Sequence, residues 1–254
     1  MKYRKYWKKF AIFAAVLLLV LTVLYGSLRF LEATVLRPGQ PDREAVSQTV
    51  IRNGIEYYPR RDITVILMLG IGGDSAGQEQ LEAVRLLIFD EKNASWSTLQ
   101  LRCDTVLDID APDEDGMGAA VIRDRLVLAY TYGDDPEERC NHTRRAVSDF
   151  LNGITIDHYI AADVDVIDRL KDASADTAFD LLAEAHSAAA DLVTDCPLYT
   201  LISMGNRYQD YRFAGAYTPE GELADDGENI GFYADKDKLD DLVIDLFYAP
   251  KPGQ

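Results

Sequence analysis

From Phe10 to Leu28 the chain carries no charged residue and is dominated by Ala, Val, Leu and Phe. About 20 such residues are enough to cross the hydrocarbon core of a bilayer as one helix. Lys2, Arg4, Lys5, Lys8 and Lys9 all precede the run, and basic flanks are retained on the cytoplasmic side. The sequence therefore predicts a cytoplasmic tail at 1–9, a transmembrane helix at 10–28 and everything after it outside the cell membrane. A cleaved signal peptide is the competing reading. It would need a shorter apolar region and a small-residue cleavage site, for which Tyr25-Gly26-Ser27 is the nearest candidate.

The remainder is long enough for one good-sized domain with its own core. Beyond residue 32 it holds 20 basic against 42 acidic residues. Such a field repels nucleic acids and other polyanions unless divalent cations intervene. Charge of this kind also serves plain solubility. Three cysteines, Cys103, Cys140 and Cys196, would lie outside the membrane, where one disulfide is permitted; three buried thiols fit equally well. No CxxC is present and the three histidines are scattered, so the spacing gives no metal motif.

Residues 29–60, with Pro38, Gly39 and Pro41, read as an extracellular stalk before a domain at 61–248. Ile63–Leu69 is an apolar, β-branched run ending in Gly70-Ile71-Gly72-Gly73-Asp74, as a buried strand does on entering a glycine turn. Ala83–Phe89 and Trp96–Val106 are two more strands, and Asp110–Gly118 reads as an acidic loop. Helices are expected at Arg123–Tyr132 and at Thr143–Leu151, the second closed by Asn152-Gly153. Strand 154–164, a helical turn at 166–170 and an Ala-rich helix at 178–193 follow. Strand 199–204, a loop near 219–231 and a final helix at 236–247 complete the chain. This alternation predicts an α/β fold, three-layered, with helices on both faces of a central, mostly buried mixed sheet. Leu69, Leu87, Leu101, Ile160 and Phe179 are its expected core.

Several of these segments carry a family resemblance. Ile63–Gly73, Gln80–Asp90 and Leu101–Ile109 resemble the opening of the LytR-CpsA-Psr domain of the Gram-positive cell envelope. Tyr130-Thr131-Tyr132-Gly133-Asp134 and Ala146–Ala173 resemble its middle; Gly153-Ile154-Thr155-Ile156-Asp157-His158-Tyr159 is the most specific block. Asn53-Gly54 with Tyr57-Tyr58 is similar to the lead-in of clostridial members. The resemblance implies transfer of a glycopolymer from a polyprenyl-pyrophosphate carrier to peptidoglycan during cell wall biogenesis. In that chemistry acidic residues hold Mg²⁺ against the pyrophosphate and arginines neutralise its remaining charge. The alternative is a catalytically degenerate relative that binds an envelope polymer or regulates true transferases.

Carried over residue by residue, the resemblance places Gly72 where the family has an aspartate, with Asp74 two residues later. Glu82 stands where an aspartate opens the second strand. The family's Arg-Asp-Thr appears as Cys103-Asp104-Thr105, with Arg102 one residue early. On a strand that shift turns the guanidinium to the other face. The candidate assignments are Asp104 and Arg102 as catalytic, Arg85 and Arg125 as substrate-binding, and Asp74, Glu82 and Asp104 as ligands of Mg²⁺. Each has a plainer reading: Asp104 and Asp74 as turn residues, Glu82 as a strand-entry charge, Arg102 as a solvated side chain. Asp157 and His158 lie in a block read as structural. The family's arginine-rich segment is missing, since 172–196 contains no Arg or Lys. Without such pairs a pyrophosphate would depend on metal alone. Gly70–Gly73 lacks the lysine and hydroxyl of a nucleotide loop.

Overall fold

The structure, a computed structural model, describes residues 49–73, 78–112, 119–169 and 192–251. The uncharged run at 10–28, Asp74, and nearly all of the helix expected at 178–193, Phe179 included, lie outside those residues. No helix among the described residues is long and apolar enough to cross a membrane.

Val50–Arg52 (β1) and Ile55–Pro59 (β2) lead into the long strand Ile63–Gly73 (β3), followed by Glu79–Asp90 (β4) and Ser95–Leu101 (β5). Val106–Pro112 (β6) and Ala119–Arg125 (β7) form a separate hairpin. Next come a single helical turn, Leu126–Ala129 (α1), the long helix Pro136–Phe150 (α2), strand His158–Asp163 (β8) and the short helix Val164–Arg169 (α3). Val193–Thr194 (β9), Leu198–Tyr208 (α4), Arg212–Tyr217 (β10), the hairpin Gly221–Asp225 (β11) and Ile230–Ala234 (β12), Lys236–Phe247 (α5) and Tyr248–Pro250 (β13) complete it.

The central sheet has the order β10-β5-β4-β3-β8-β9. β4 is antiparallel to β3 and β5, whereas β8 is parallel to β3 and β10 parallel to β5. The sheet is therefore mixed, as expected. One consequence governs the site: β3 and β5 end at the same edge of the sheet, and β4 begins there.

Alternation along the strands produces two cores. Val65, Leu67, Leu69, Val84, Leu86, Leu99 and Leu101 face one side, where Ala146 and Val147 of α2 and Val243 and Phe247 of α5 cover them. Ile66, Met68, Leu87, Phe89 and Ile160 face the other, under Ile167 of α3 and Leu201 and Tyr208 of α4. Helices thus lie on both faces. Leu69, Leu87, Leu101 and Ile160 are all buried.

Four local expectations are corrected. Residues 199–204 are helical, because Leu201, Met204 and Tyr208 form an apolar stripe at 3–4 spacing that packs onto the second core. Burial of that stripe outweighs the β-branched character of Tyr199–Met204. Residues 119–125 are a strand, with only 126–129 helical. Pairing with 106–112 decides it, and β6 also takes up the start of the expected loop at 110–118. The loop near 219–231 is largely the β11–β12 hairpin. The stalk ends earlier than residue 60, because β1 and β2 pair with one another and β2 with β13 in a small sheet.

Candidate functional site

β5 stops at Leu101, and Arg102, Cys103 and Asp104 form a turn. Leu101 and Cys103 pack on the first core, so alternation continues through the turn and leaves the outward side to Asp104 and Arg102. The Arg102 guanidinium folds back onto Asp104 with two bonds, Nε to Oδ1 and Nη2 to Oδ2, each 2.8 Å. Cys103 between them turns inward against the first core. Burial pushes its thiol up to about 12, with the negative charges of Asp104 and Glu82 adding to it. The bonds from Arg102 hold the Asp104 carboxyl below its ordinary value, despite some burial, and Arg125 works in the same direction.

The turn is fixed from both sides by backbone bonds. The Cys103 and Thr105 carbonyls accept the N–H groups of Val127 and Leu126 at 2.9 and 2.8 Å, and the Asp104 carbonyl accepts that of Phe232 at 2.8 Å. Gly231 makes this approach possible. A Cβ there would fall 2.6 Å from the Asp104 carbonyl oxygen. The Arg102 guanidinium lies over the Phe232 ring, 5.2 Å from its centre, within cation–π range. Gly231 and Phe232 fell within or beside an expected loop. The alternation of Ile230-Gly231-Phe232-Tyr233-Ala234 was the signal that they belong to a strand.

Glu82 is the extra residue of a bulge. Gly70 pairs with Ala83 and Ile71 with Leu81, so Glu82 has no partner across the ladder. Its carboxylate bends over the Gly72 backbone, into the space a side chain at position 72 would fill. β4 thus delivers a carboxylate where β3 has no side chain to offer. Arg125, the last residue of β7, is exposed beside the turn and close to Asp124, Nε to Oδ1 3.8 Å. Arg85 is placed differently: it is 5% exposed in mid-β4, opposite Met68 and Gln100. The structure therefore gathers Arg102, Asp104 and Arg125 at the edge where the Glu82 bulge of β4 also lies. Arg85 is buried inside the sheet and Asp74 lies outside the described residues.

Of the three expected Mg²⁺ ligands, Glu82 and Asp104 are among the described residues. Among the described residues no three His, Cys, Asp or Glu side chains converge on a point that could hold a metal. Both oxygens of Asp104 are already engaged by Arg102. A divalent ion would have to displace a guanidinium there.

No protein-family model and no curated protein matches the sequence. Solved structures do. A putative transcriptional regulator, ywtF, from Bacillus subtilis superposes with a TM-score of 0.55 at 14% identity, over 83% of this chain and 95% of that one. TagT bound to LI-WTA gives 0.53 at 16% identity, covering 79% and 95%. A LytR-CPS2A-psr family protein, YwtF (TagT), with bound octaprenyl pyrophosphate lipid gives 0.50 at 18%, again covering 79% and 95%. The structural neighbours of this chain are LytR-CpsA-Psr proteins, and at these identities what it shares with them is the fold.

Proposed function

We propose that the chain is a membrane-anchored protein of the cell envelope that binds a polyprenyl-diphosphate-linked glycopolymer at the Arg102–Asp104 turn. The observation that carries this reading is the arginine's geometry. Asp104 occupies the Nε edge of the guanidinium, and among the described residues the Nη1 group has no partner. Arg presents five N–H donors in a rigid fork. Asp104 thus orients the fork and leaves its other edge for a phosphate, with Arg125 as the second cation. The fold supports the same chemistry, since a protein of that fold holds octaprenyl pyrophosphate lipid. Anchoring by residues 10–28, with the C-terminal domain outside, belongs to the proposal, as does peptidoglycan as a nearby polymer.

Binding without turnover is the reading favoured. Two exposed arginines at an edge that also carries Glu82, Asp104 and Asp124 neutralise little of the charge that develops in phosphoryl transfer. Transfer to peptidoglycan is the second reading, and the Glu82 carboxylate over Gly72 favours it, because Mg²⁺ recruited by Glu82 and Asp74 would supply the missing positive charge. The two readings separate in one experiment. The full chain in nanodiscs is mixed with a polyprenyl-diphosphate oligosaccharide and peptidoglycan, with and without Mg²⁺. Retention of the lipid with no covalent transfer is expected. Mg²⁺-dependent transfer would establish the second reading, and neither retention nor transfer would dismiss both.

A further inference from the structure

Two adjoining cavities, of about 730 and 270 Å³, open between the C-terminal end of α2 and the start of α5. The larger lies within the roughly 300–1,000 Å³ typical of ligand sites. Asp149, Asn152, Lys236 and Asp240 line both, so the two form one cleft, and none of residues 102–104 borders it. Most of the charge in its walls is neutralised there. Arg52 bonds Asp241 at 2.7 Å and lies 3.6 Å from Asp240, and Arg123 stands 3.9 Å from Asp108. Asp149 and Lys236 remain. Among the described residues neither side chain has an ion pair or a hydrogen bond.

These two charges sit at opposite kinds of helix end. Asp149 is in the last turn of α2, which holds no basic residue, where the helix dipole already gathers negative charge. Partial desolvation, then the nearby Asp110 charge, push its carboxyl above the ordinary value, with only Arg145 acting the other way. Lys236 opens α5, at the positive end of that helix's dipole. One wall of the cleft thus attracts a cation and the other an anion. We infer that the cleft binds a short peptide with free termini, its ammonium group at Asp149 and its carboxylate at Lys236. Asn152, which lines both cavities, donates Nδ2 to Asp240 at 3.0 Å and keeps its amide oxygen for a peptide N–H. A polyanion would be repelled by Asp149, and a neutral glycan would leave both charges unanswered. This site does not depend on the diphosphate-binding reading above.

The test is calorimetric titration of the full chain in nanodiscs with tetra-alanine. Saturable binding is expected, and acetylating the amine or amidating the carboxylate should each weaken it at least fivefold. Two variants separate the two ends. Asp149→Asn should bind the free and the acetylated peptide equally, and Lys236→Gln should bind the acid and the amide equally. Both change exposed side chains, so the melting temperature should match that of the native chain, and inorganic diphosphate should bind each variant as it binds the native chain. No saturation at millimolar peptide would overturn the inference. So would blocked peptides that bind like the free one, or variants that keep the native preference for free termini. Saturable binding of chitotetraose with tetra-alanine ignored would make the cleft a glycan site and overturn the peptide reading.

Discussion

An exposed arginine–carboxylate pair contributes about 0–1 kcal/mol to stability, so the Arg102–Asp104 pair, with side chains 45% and 39% exposed, does little for the fold. On the proposed reading its role is orientation. Asp104→Asn should leave the thermal midpoint within a degree or two, yet weaken diphosphate binding severalfold in titrations, because the amide cannot accept both guanidinium bonds. The cysteines behave in the opposite way. Burial pushes all three thiols up to about 12, and all three are free. Iodoacetamide at pH 8 should label none of them until denaturant is added, after which mass spectrometry should count three adducts. Asp104 and Glu82 were legible as candidates in the sequence because each stands where the family resemblance places a carboxylate. The coupling of Arg102 to Asp104 was not. It depends on the turn at 102–104, which ends β5 at Leu101 where the sequence predicts a strand through Val106.

Among the elements, α2 has the best-defined start. Asp135 accepts the Glu138 N–H at 2.8 Å, Glu138 reaches back to the Asp134 N–H at 2.9 Å, and Pro136 fills the first turn. Asp135→Ala should cost about 1 kcal/mol and lower the melting temperature by roughly 2–4 °C in a domain of this size. A second local device is Arg60, which bonds Asp62 at 2.8 Å and Asp90 at 2.7 Å where β3 and β4 meet at the far edge of the sheet. The Arg60 bonds hold the Asp62 carboxyl low against its partial burial. Burial pushes the Asp90 carboxyl up, but Arg60 and Asn93 together more than offset it. Both folded values lie below the ordinary one of about 4. Their stabilisation is therefore complete above pH 4 and lost as the pH falls through the lower folded values. Melting curves from pH 6 to pH 2 should show a steeper acid loss in the native chain than in Arg60→Ala. Long elements with one dominant period, such as β3, β4 and α5, were readable from the sequence. The short ones were less so: β7 and α1 take their form from neighbours, whereas the alternation at 230–234 and the 3–4 stripe of Leu201, Met204 and Tyr208 stood in the sequence beside stronger turn and strand signals.

At the scale of the molecule, one sheet between two helical layers leaves the interior no tolerance for charge. Leu87, 6% exposed, is expected to be essential: an unpaired aspartate there costs several kcal/mol, against a total of ~5–15 kcal/mol. Leu87→Asp should give no cooperative melting transition. The mixed strand order has a functional consequence as well, because β4 running against β3 and β5 brings Glu82 to the edge where Asp104 lies. Alternation of elements announced the α/β class but not this order, which depends on pairings between distant residues. The central claim is that this edge grips a prenyl diphosphate through its arginines. Equilibrium binding of octaprenyl diphosphate to the full chain in nanodiscs, native against Arg102→Ala/Arg125→Ala, tests it most directly. The account predicts saturable binding that falls at least tenfold in the double variant; equal affinity in the two chains would contradict it.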